Sequence, residues 1–481
     1  MYLGIDLGTS AIKALLMRAE GDVVATASAP LTVQNPQPGW SEQDPDDWIR
    51  GCEAAVAQLQ RTHPDAFAAV SGIGLSGQMH GATVLDATDN PLRPAILWND
   101  TRSHVEAAAL DADPRFRVVT GNIVFPGFTA PKLVWLATHE PDVYRQVRKV
   151  LLPKDYVRLW LTGEHASDLS DASGTSWLDV SRRQWSADLL AATHLDVSHM
   201  PRLVEGTERS GQLRSELAHA WGLDGSIPVA GGAGDNAAAA VALGIVADDM
   251  AFVSLGTSGV LFVANNGFRP NPEHAVHAFC HALPGHWHQM GVILSATDSL
   301  SWLSMLTGVS PQDLTAELGP PLQPPTGALV LPYFSGERTP HNDARIRGAM
   351  LGLDRSMDRS ALTRATLEGV AFALKDCLRA LEATGVRISR VTITGGGAAS
   401  SYWQSTLATV LDVTIDVPAD GGFGAGLGAA RLAQIAAEGC PPSAVCVTPE
   451  ILHSVAPDEA LKGAFEEAYE RFRAAYLRLR D

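Results

Sequence analysis

Three segments of the chain combine carboxylates, hydroxyls and glycines in orders that suit phosphate chemistry. The first is Asp6-Leu7-Gly8-Thr9-Ser10, which closes the apolar run that starts at Tyr2. A carboxylate at a strand end beside a glycine turn could hold magnesium, directly or through water; it could equally brace the turn. Lys13, on the returning run Ala11 to Met17, could neutralise a phosphate or stand solvated on its strand. The second segment is Val229-Ala230-Gly231-Gly232-Ala233-Gly234-Asp235-Asn236, followed by small apolar residues. It reads as a strand, a glycine turn and a helix start, with Asp235 near the N-cap. Aspartate caps helices for structural reasons alone. Here, however, the small residues before it let a ligand approach the backbone, and the helix N-terminus favours an anionic phosphoryl group. Asp235 is therefore the best general-base candidate. The third segment, Thr394-Gly395-Gly396-Gly397-Ala398-Ala399-Ser400-Ser401, joins the strand Val391–Ile393 to a helix. Its glycines let the backbone lie flat against a purine or ribose.

The elements that must position these groups are repeated. Leu7-Gly8-Thr9-Ser10 recurs as Leu255-Gly256-Thr257-Ser258, about half a chain later. Both copies read strand, turn, strand, with Glu20-Gly21-Asp22 closing one unit and Asn265-Asn266-Gly267 the other. A Walker loop or dinucleotide fingerprint would need a helix after the glycines, so neither fits. A Gly-Thr-Ser hairpin instead presents N–H groups and hydroxyls to phosphate oxygens. Two such hairpins predict two related α/β lobes gripping one phosphate chain, with a boundary near residue 245. Alternation predicts a strand over 411–417; apolar spacing predicts helices over 362–381, ended by Gly385, and over 458–479 on the second lobe. Gly319 to Pro325 reads as a stiff surface connection.

Composition narrows the class. The 481 residues are 46% hydrophobic and 19% charged, which excludes a disordered chain. A net charge of −17 opposes nucleic acid and anionic membrane as general partners. No apolar stretch is long enough to span a bilayer, and no signal peptide is evident. Five scattered cysteines suit reduced thiols in the cytoplasm. His274, His277, Cys280, His281, His286 and His288 form a dense group whose spacing matches no zinc motif. Gln78-Met79-His80-Gly81, after the strand Val70 to Ser76, places a histidine in a turn that can reach a cleft.

Together these features resemble the FGGY carbohydrate kinases of the actin-like ATPase superfamily, over nearly the whole chain. Gly127-Phe128-Thr129-Ala130-Pro131-Lys132-Leu133-Val134-Trp135 looks like the family's first signature, and Gly348–Leu353 through Thr366–Gly369 resembles the second, with Ala361 in place of a usual polar residue. Inside the family the likeness is greatest to bacterial members that phosphorylate D-xylulose. It is carried by Gly77–Thr83, Leu92–Asp100, Leu152–Tyr156 and Ser335–His341, and the stretch around His277 to His281 also matches these enzymes, which are not zinc proteins. The resemblance implies a two-lobed actin-like (ribonuclease H-like) fold with duplicated domains, 1–245 and 246–481, around a central cleft. It implies ATP and Mg2+ as cofactors, a small sugar as partner, and Asp235 as base with Asp6 needed for activity. Met79, His80, Asn99, Asp100 and Asn236 would meet the sugar. Gly8, Thr9, Ser10, Lys13, Gly256, Thr257, Ser258, Gly396, Gly397 and Ser401 would line the nucleotide. A homodimer is left open. So are an FGGY kinase for ribulose, glycerol or gluconate, and an actin-like ATPase of the chaperone type, against which the Gly-Asp-Asn and Gln-Met-His segments weigh.

Overall fold

The computed structural model describes residues 1–223, 225–419 and 424–480. Its core is two mixed α/β sheets of the same design. The first runs, edge to edge, Arg209–Gln212, Pro228–Ala230, Gly72–Gly77, Tyr2–Leu7, Ala11–Met17, Val23–Pro30, with Ala233–Gly234 extending the pairing on Gly72–Gly77. The second runs His277–Cys280, Trp287–Ile293, Gly259–Asn265, Ala251–Leu255, Arg390–Thr394, Thr414–Pro418, Ile451–Val455. In each sheet an antiparallel meander opens with the Gly-Thr-Ser hairpin, and its first strand pairs in parallel with a later strand. Apart from the extra edge strand His277–Cys280, the two sheets match strand for strand. The repeated tetrapeptide therefore marks a duplicated sheet.

Local chemistry explains the main helices. Pro45–Thr62 is capped by Asp44, whose side chain accepts from the Asp46 N–H, and buries Trp48, Cys52, Val56 and Leu59 on the first sheet. Arg359–Glu382 is capped by Asp358 and fills the second core with Leu367, Val370, Leu374 and Leu378. Lys462–Leu479 seats Phe465, Tyr469 and Phe472 against the same core. The expected strand over 411–417 is shorter. Leu411 ends the helix Ser401–Leu411, Asp412 caps it in the left-handed region at φ 57°, and pairing starts at Thr414. The apolar alternation had spanned a helix end and a strand start.

From the strand Thr414–Pro418 of the second sheet the chain returns to lay the helix Gly424–Glu438 on the first sheet, then rejoins the second sheet as Ile451–Val455. The helix fits because both surfaces lack side chains at the contact. A Cβ on Gly4 would sit 2.1 Å from the Gly426 carbonyl oxygen, and one on Gly74 would sit 1.9 Å from that of Ala429. Its counterpart Asp235–Ala242 leaves the first sheet and packs Ala240 and Leu243 among Phe252, Phe262 and Met290 of the second sheet. The two helices meet where a Cβ on Gly428 would lie 1.9 Å from the Ala238 carbonyl oxygen. No helix among the described residues is long and apolar enough to cross a membrane.

This crossing yields a stability test. Gly428→Ala must push the two helices apart, and overpacking of this kind costs about 1–3 kcal/mol. Gly463→Ala, where a Cβ meets nothing within 4 Å, is the control and should leave stability unchanged or slightly raised. Urea unfolding midpoints of both variants check the difference.

Candidate active site

The site forms where three strand ends of the first sheet converge. Asp6 and Ala233 flank Ser76 from opposite sides of the strand Gly72–Gly77, so Asp6 and Asp235 face one another across about two strand spacings, roughly 10 Å. Asp235 is the first residue of its helix and Gly234 is the N-cap, one position earlier than the sequence suggests. Its Oδ1 accepts from the Asn236 backbone N–H at 2.7 Å and from Asn236 Nδ2 at 3.0 Å. Burial pushes the Asp235 carboxyl up to about 6, opposed by the Asn236 bonds and helped by the charge of Asp6. Burial also raises Asp6, against the Ser76 hydroxyl and the Lys13 ammonium, which lies opposite it in the hairpin register. A carboxylate of this kind, without an ion-pair partner among the described residues, fits magnesium held through one protein oxygen and substrate phosphates.

Buried charge holds the turn that carries Asp235. Arg158 donates to the carbonyl oxygens of Ala230 (2.7 Å) and Gly231 (2.6 Å), and the Ser170 hydroxyl accepts from the Gly234 N–H at 3.1 Å. Gly232, at φ 75°, leaves no room for a Cβ, which would fall 2.2 Å from the Leu75 carbonyl oxygen. Behind the turn, fully buried Lys154 lies within 3.2 Å of Asp155, Asp168 and Asp171. Burial opposes the Lys154 charge, but the three carboxylates outweigh it and raise its pKa. Burial and its acidic neighbours push Asp171 well up from the ordinary carboxylate range, against the pull of Lys154.

Beside this turn lies a pocket. Met79 packs on Gly234, where a Cβ would meet its Sδ at 2.8 Å. His80 is in the left-handed region at φ 69°, and its carbonyl oxygen accepts from Lys132 Nζ (2.8 Å) and Thr129 Oγ1 (3.1 Å). His80 Nδ1 lies 2.8 Å from the Gly174 carbonyl oxygen, which can only accept, so Nδ1 carries the proton and Nε2 is a free acceptor. Burial depresses the ring's pKa to about 3, which keeps it neutral. Its face stacks on Phe128 at 4.5 Å. Thr9, Gln78 and Trp98 form the link to the phosphate hairpin: Thr9 Oγ1 donates to Gln78 Oε1 (3.1 Å) and accepts from Trp98 Nε1 (3.0 Å). The Thr9 hydroxyl is thus engaged, and the Gly8 N–H donates to the Ala11 carbonyl oxygen at 3.0 Å. The Thr9 and Ser10 carbonyls accept from Gln43 Nε2 and the Leu31 N–H, while the Ser10 side chain is exposed.

The other expected residues divide. Asn236 and the exposed Asn99 stand near these groups in the chain, whereas Asp100 is buried, with both oxygens held by the Ser41 N–H and Arg102. Asp100 therefore fixes the turn after Trp98. In the second lobe Gly256, Thr257 and Ser258 form the hairpin turn, anchored where Gly256 and Thr257 carbonyls accept from the N–H groups of Thr297 and Ala296. Gly395, at φ 89°, turns the chain against Leu255; Gly396 and Ser401 are exposed, while Gly397 is buried under Leu255 and Trp403. The histidine group scatters: His277 meets Arg338, His281 Nε2 lies 3.1 Å from the Ile245 carbonyl oxygen, and His288 stacks on Phe262. Gln43, Lys132, Lys154, Arg158, Ser170 and Gly174 were not singled out as site residues. Only the signature around Lys132 and the stretch around Lys154 pointed toward any of them.

Sequence and structure comparisons identify the family. Residues 1–242 match the N-terminal domain, and residues 251–437 the C-terminal domain, of the FGGY family of carbohydrate kinases. The chain belongs to that family, whose members use ATP, and it is a carbohydrate kinase. It is 48% identical over 485 residues to the xylulose kinase of Escherichia coli K12, covering 100% of this chain and 99% of the relative. A crystal structure of a xylulose kinase from Brucella ovis is 58% identical, with a TM-score of 0.98 and 99% of each chain covered. One from Rhodospirillum rubrum is 30% identical, with a TM-score of 0.92, covering 99% of this chain and 98% of that one.

The buried charge cluster makes a prediction of its own. Lys154→Met strands ionised carboxylates in the core and should cost about 3–5 kcal/mol. Asp171→Asn keeps the side chain's size and removes a charge that burial already disfavours, so it should cost far less. Denaturant titration of the two variants at neutral pH separates them.

Proposed function

We propose that this kinase transfers the terminal phosphoryl group of ATP to the carbon-five hydroxyl of D-xylulose, giving ADP and D-xylulose 5-phosphate. The observation that carries the mechanism is Asp235: a buried carboxyl raised toward neutrality, at a helix N-terminus, with Asp6 opposite and Met79 against the preceding glycine. The full-length likeness to xylulose kinases supports the choice of sugar. Asp235 accepts the hydroxyl proton as the oxygen attacks phosphorus, and the helix N-terminus favours the charge that gathers on the phosphoryl oxygens. His80 Nε2 accepts from a sugar hydroxyl, Met79 supplies an apolar wall, and Asn99 and Asn236 offer amide groups. Asp6 holds magnesium, which when bound draws charge from the phosphates. Lys13 neutralises a phosphate, and the backbones of Gly8–Ser10 and Gly256–Ser258 grip the phosphate chain from both lobes. Gly396, Gly397 and Ser401 border the adenosine. The five free cysteines suit a reduced cytoplasmic enzyme.

The base assignment fixes a pH profile. With its carboxyl raised from 3.8 to about 6, Asp235 is protonated and inactive below that value, so kcat/KM should rise through about pH 6 and level off above it. Asp235→Asn should lower sugar-dependent turnover by about 10²–10⁴-fold and leave ATP binding intact. Steady-state ADP release across pH checks both statements; a flat profile or near-normal turnover of the variant rejects Asp235 as base.

The sugar assignment is tested separately. Among D-xylulose, ribulose, glycerol and gluconate, D-xylulose should show the highest kcat/KM. His80→Ala should raise its KM far more than the KM for ATP. A better constant for another sugar rejects xylulose and leaves the kinase standing.

A further inference from the structure

The wall of the His80 pocket is completed by the other lobe. Phe128, stacked on His80, lies 5.7 Å from the ring of His277 on the edge strand of the second sheet. His277 Nε2 accepts from Arg338 Nη1 at 3.2 Å, and the Arg338 guanidinium covers Phe125 at 4.7 Å from its centroid. Arg338 is close enough for its charge to depress both His80 and His277. Among the described residues it has no carboxylate partner. The adjacent Glu337 is turned away: its Oε1 accepts from the N–H groups of Leu294 and Arg338, and burial pushes it up to about 8, leaving it largely neutral at pH 7. A guanidinium offers five N–H donors in a planar fork, and here one hydrogen bond goes to the protein. Arg338 is only partly buried, so the donors that His277 does not take can meet oxygens of a molecule in the pocket in place of water.

From this geometry we infer that Arg338 is a sugar-binding residue contributed by the second lobe, donating to oxygens of the ketose whose hydroxyl His80 Nε2 accepts. The sugar is then recognised from both lobes. His80, an acceptor, and Arg338, a donor, face it from opposite sides, and the wall of Phe125, Phe128 and His277 fixes their separation. The tie is reinforced beside the pocket. Asn122 of the first lobe pairs with Ala278 on the edge strand through two hydrogen bonds of 2.9 Å, and the Ser173 hydroxyl accepts from the Cys280 N–H at 3.0 Å.

The inference rests on the sugar lying at Met79 and His80, and the test separates the two. In Arg338→Gln the KM for D-xylulose should rise about tenfold or more, the weight of one charged hydrogen bond, while the KM for ATP stays within about twofold. Arg338→Lys, which keeps the charge without the fork, should fall between parent and Gln, and it carries the same reading if Gln does not fold. Added guanidinium should lower the sugar KM of Arg338→Ala, which a packing role would not allow. An unchanged sugar KM in Arg338→Gln, or a rise in the ATP KM instead, overturns the inference. If His80→Ala also leaves the sugar KM unchanged, the site itself is misplaced; if only the Arg338 variants are silent, the inference alone fails.

Discussion

Two carboxylates, Asp6 at a strand end and Asp235 at a helix start, face one another across the strand Gly72–Gly77 with no ion-pair partner among the described residues, and they are the constraint around which the site is built. Burial raises the cost of ionising both, and the charge of Asp6 adds to it for Asp235. A pair like this does not hold itself in place, so the surrounding structure must. Arg158 and Ser170 grip the backbone of the Gly231–Gly234 turn, and the Lys154 cluster gives that grip a fixed base. The strain is confined to residues that can bear it: Gly232 takes the left-handed conformation, and His80 is pinned in it by Lys132 and Thr129.

The duplicated sheet supplies the same geometry from the other side. Each half sends a helix out of its sheet to lie on the opposite one, and these helices touch backbone to backbone at Ala238 and Gly428. A contact so close leaves little room for the two helices to slide past one another. Away from the crossing, Asn122 and Ser173 fasten the sugar side of the first lobe to the edge strand of the second. That edge strand has no counterpart in the first sheet. One asymmetry between the halves thus lies beside the His80 pocket.

Much of this was legible in the residues. Tyr2–Leu7, Ala11–Met17 and Ala251–Leu255 fall where apolar runs around Gly-Thr-Ser place them, because hairpin register follows from local turn chemistry. Asp235 stood out because a glycine-rich turn delivers it to a helix start, although an aspartate there also caps helices for structural reasons alone. What stayed hidden depends on distance along the chain. His80 is held by Gly174 and Lys132, 94 and 52 residues away, and no local pattern announces such partners. The helix Gly424–Glu438 carries no motif, and its alanine- and glycine-rich composition does not say on which sheet it lies. Asp100 looked like a pocket residue; only the fold reveals Arg102 and Ser41 already on its carboxylate.

The central claim, transfer of phosphate to one hydroxyl oriented by Asp235, is tested most directly on the product. The enzyme is incubated with magnesium, ATP and D-xylulose labelled with carbon-13 at carbon five, and the mixture is followed by carbon and phosphorus NMR. A single sugar phosphate whose phosphorus couples to the labelled carbon, formed mole for mole with ADP, is the expected result. Phosphate on another carbon, or free phosphate accumulating beside unchanged sugar, would contradict it.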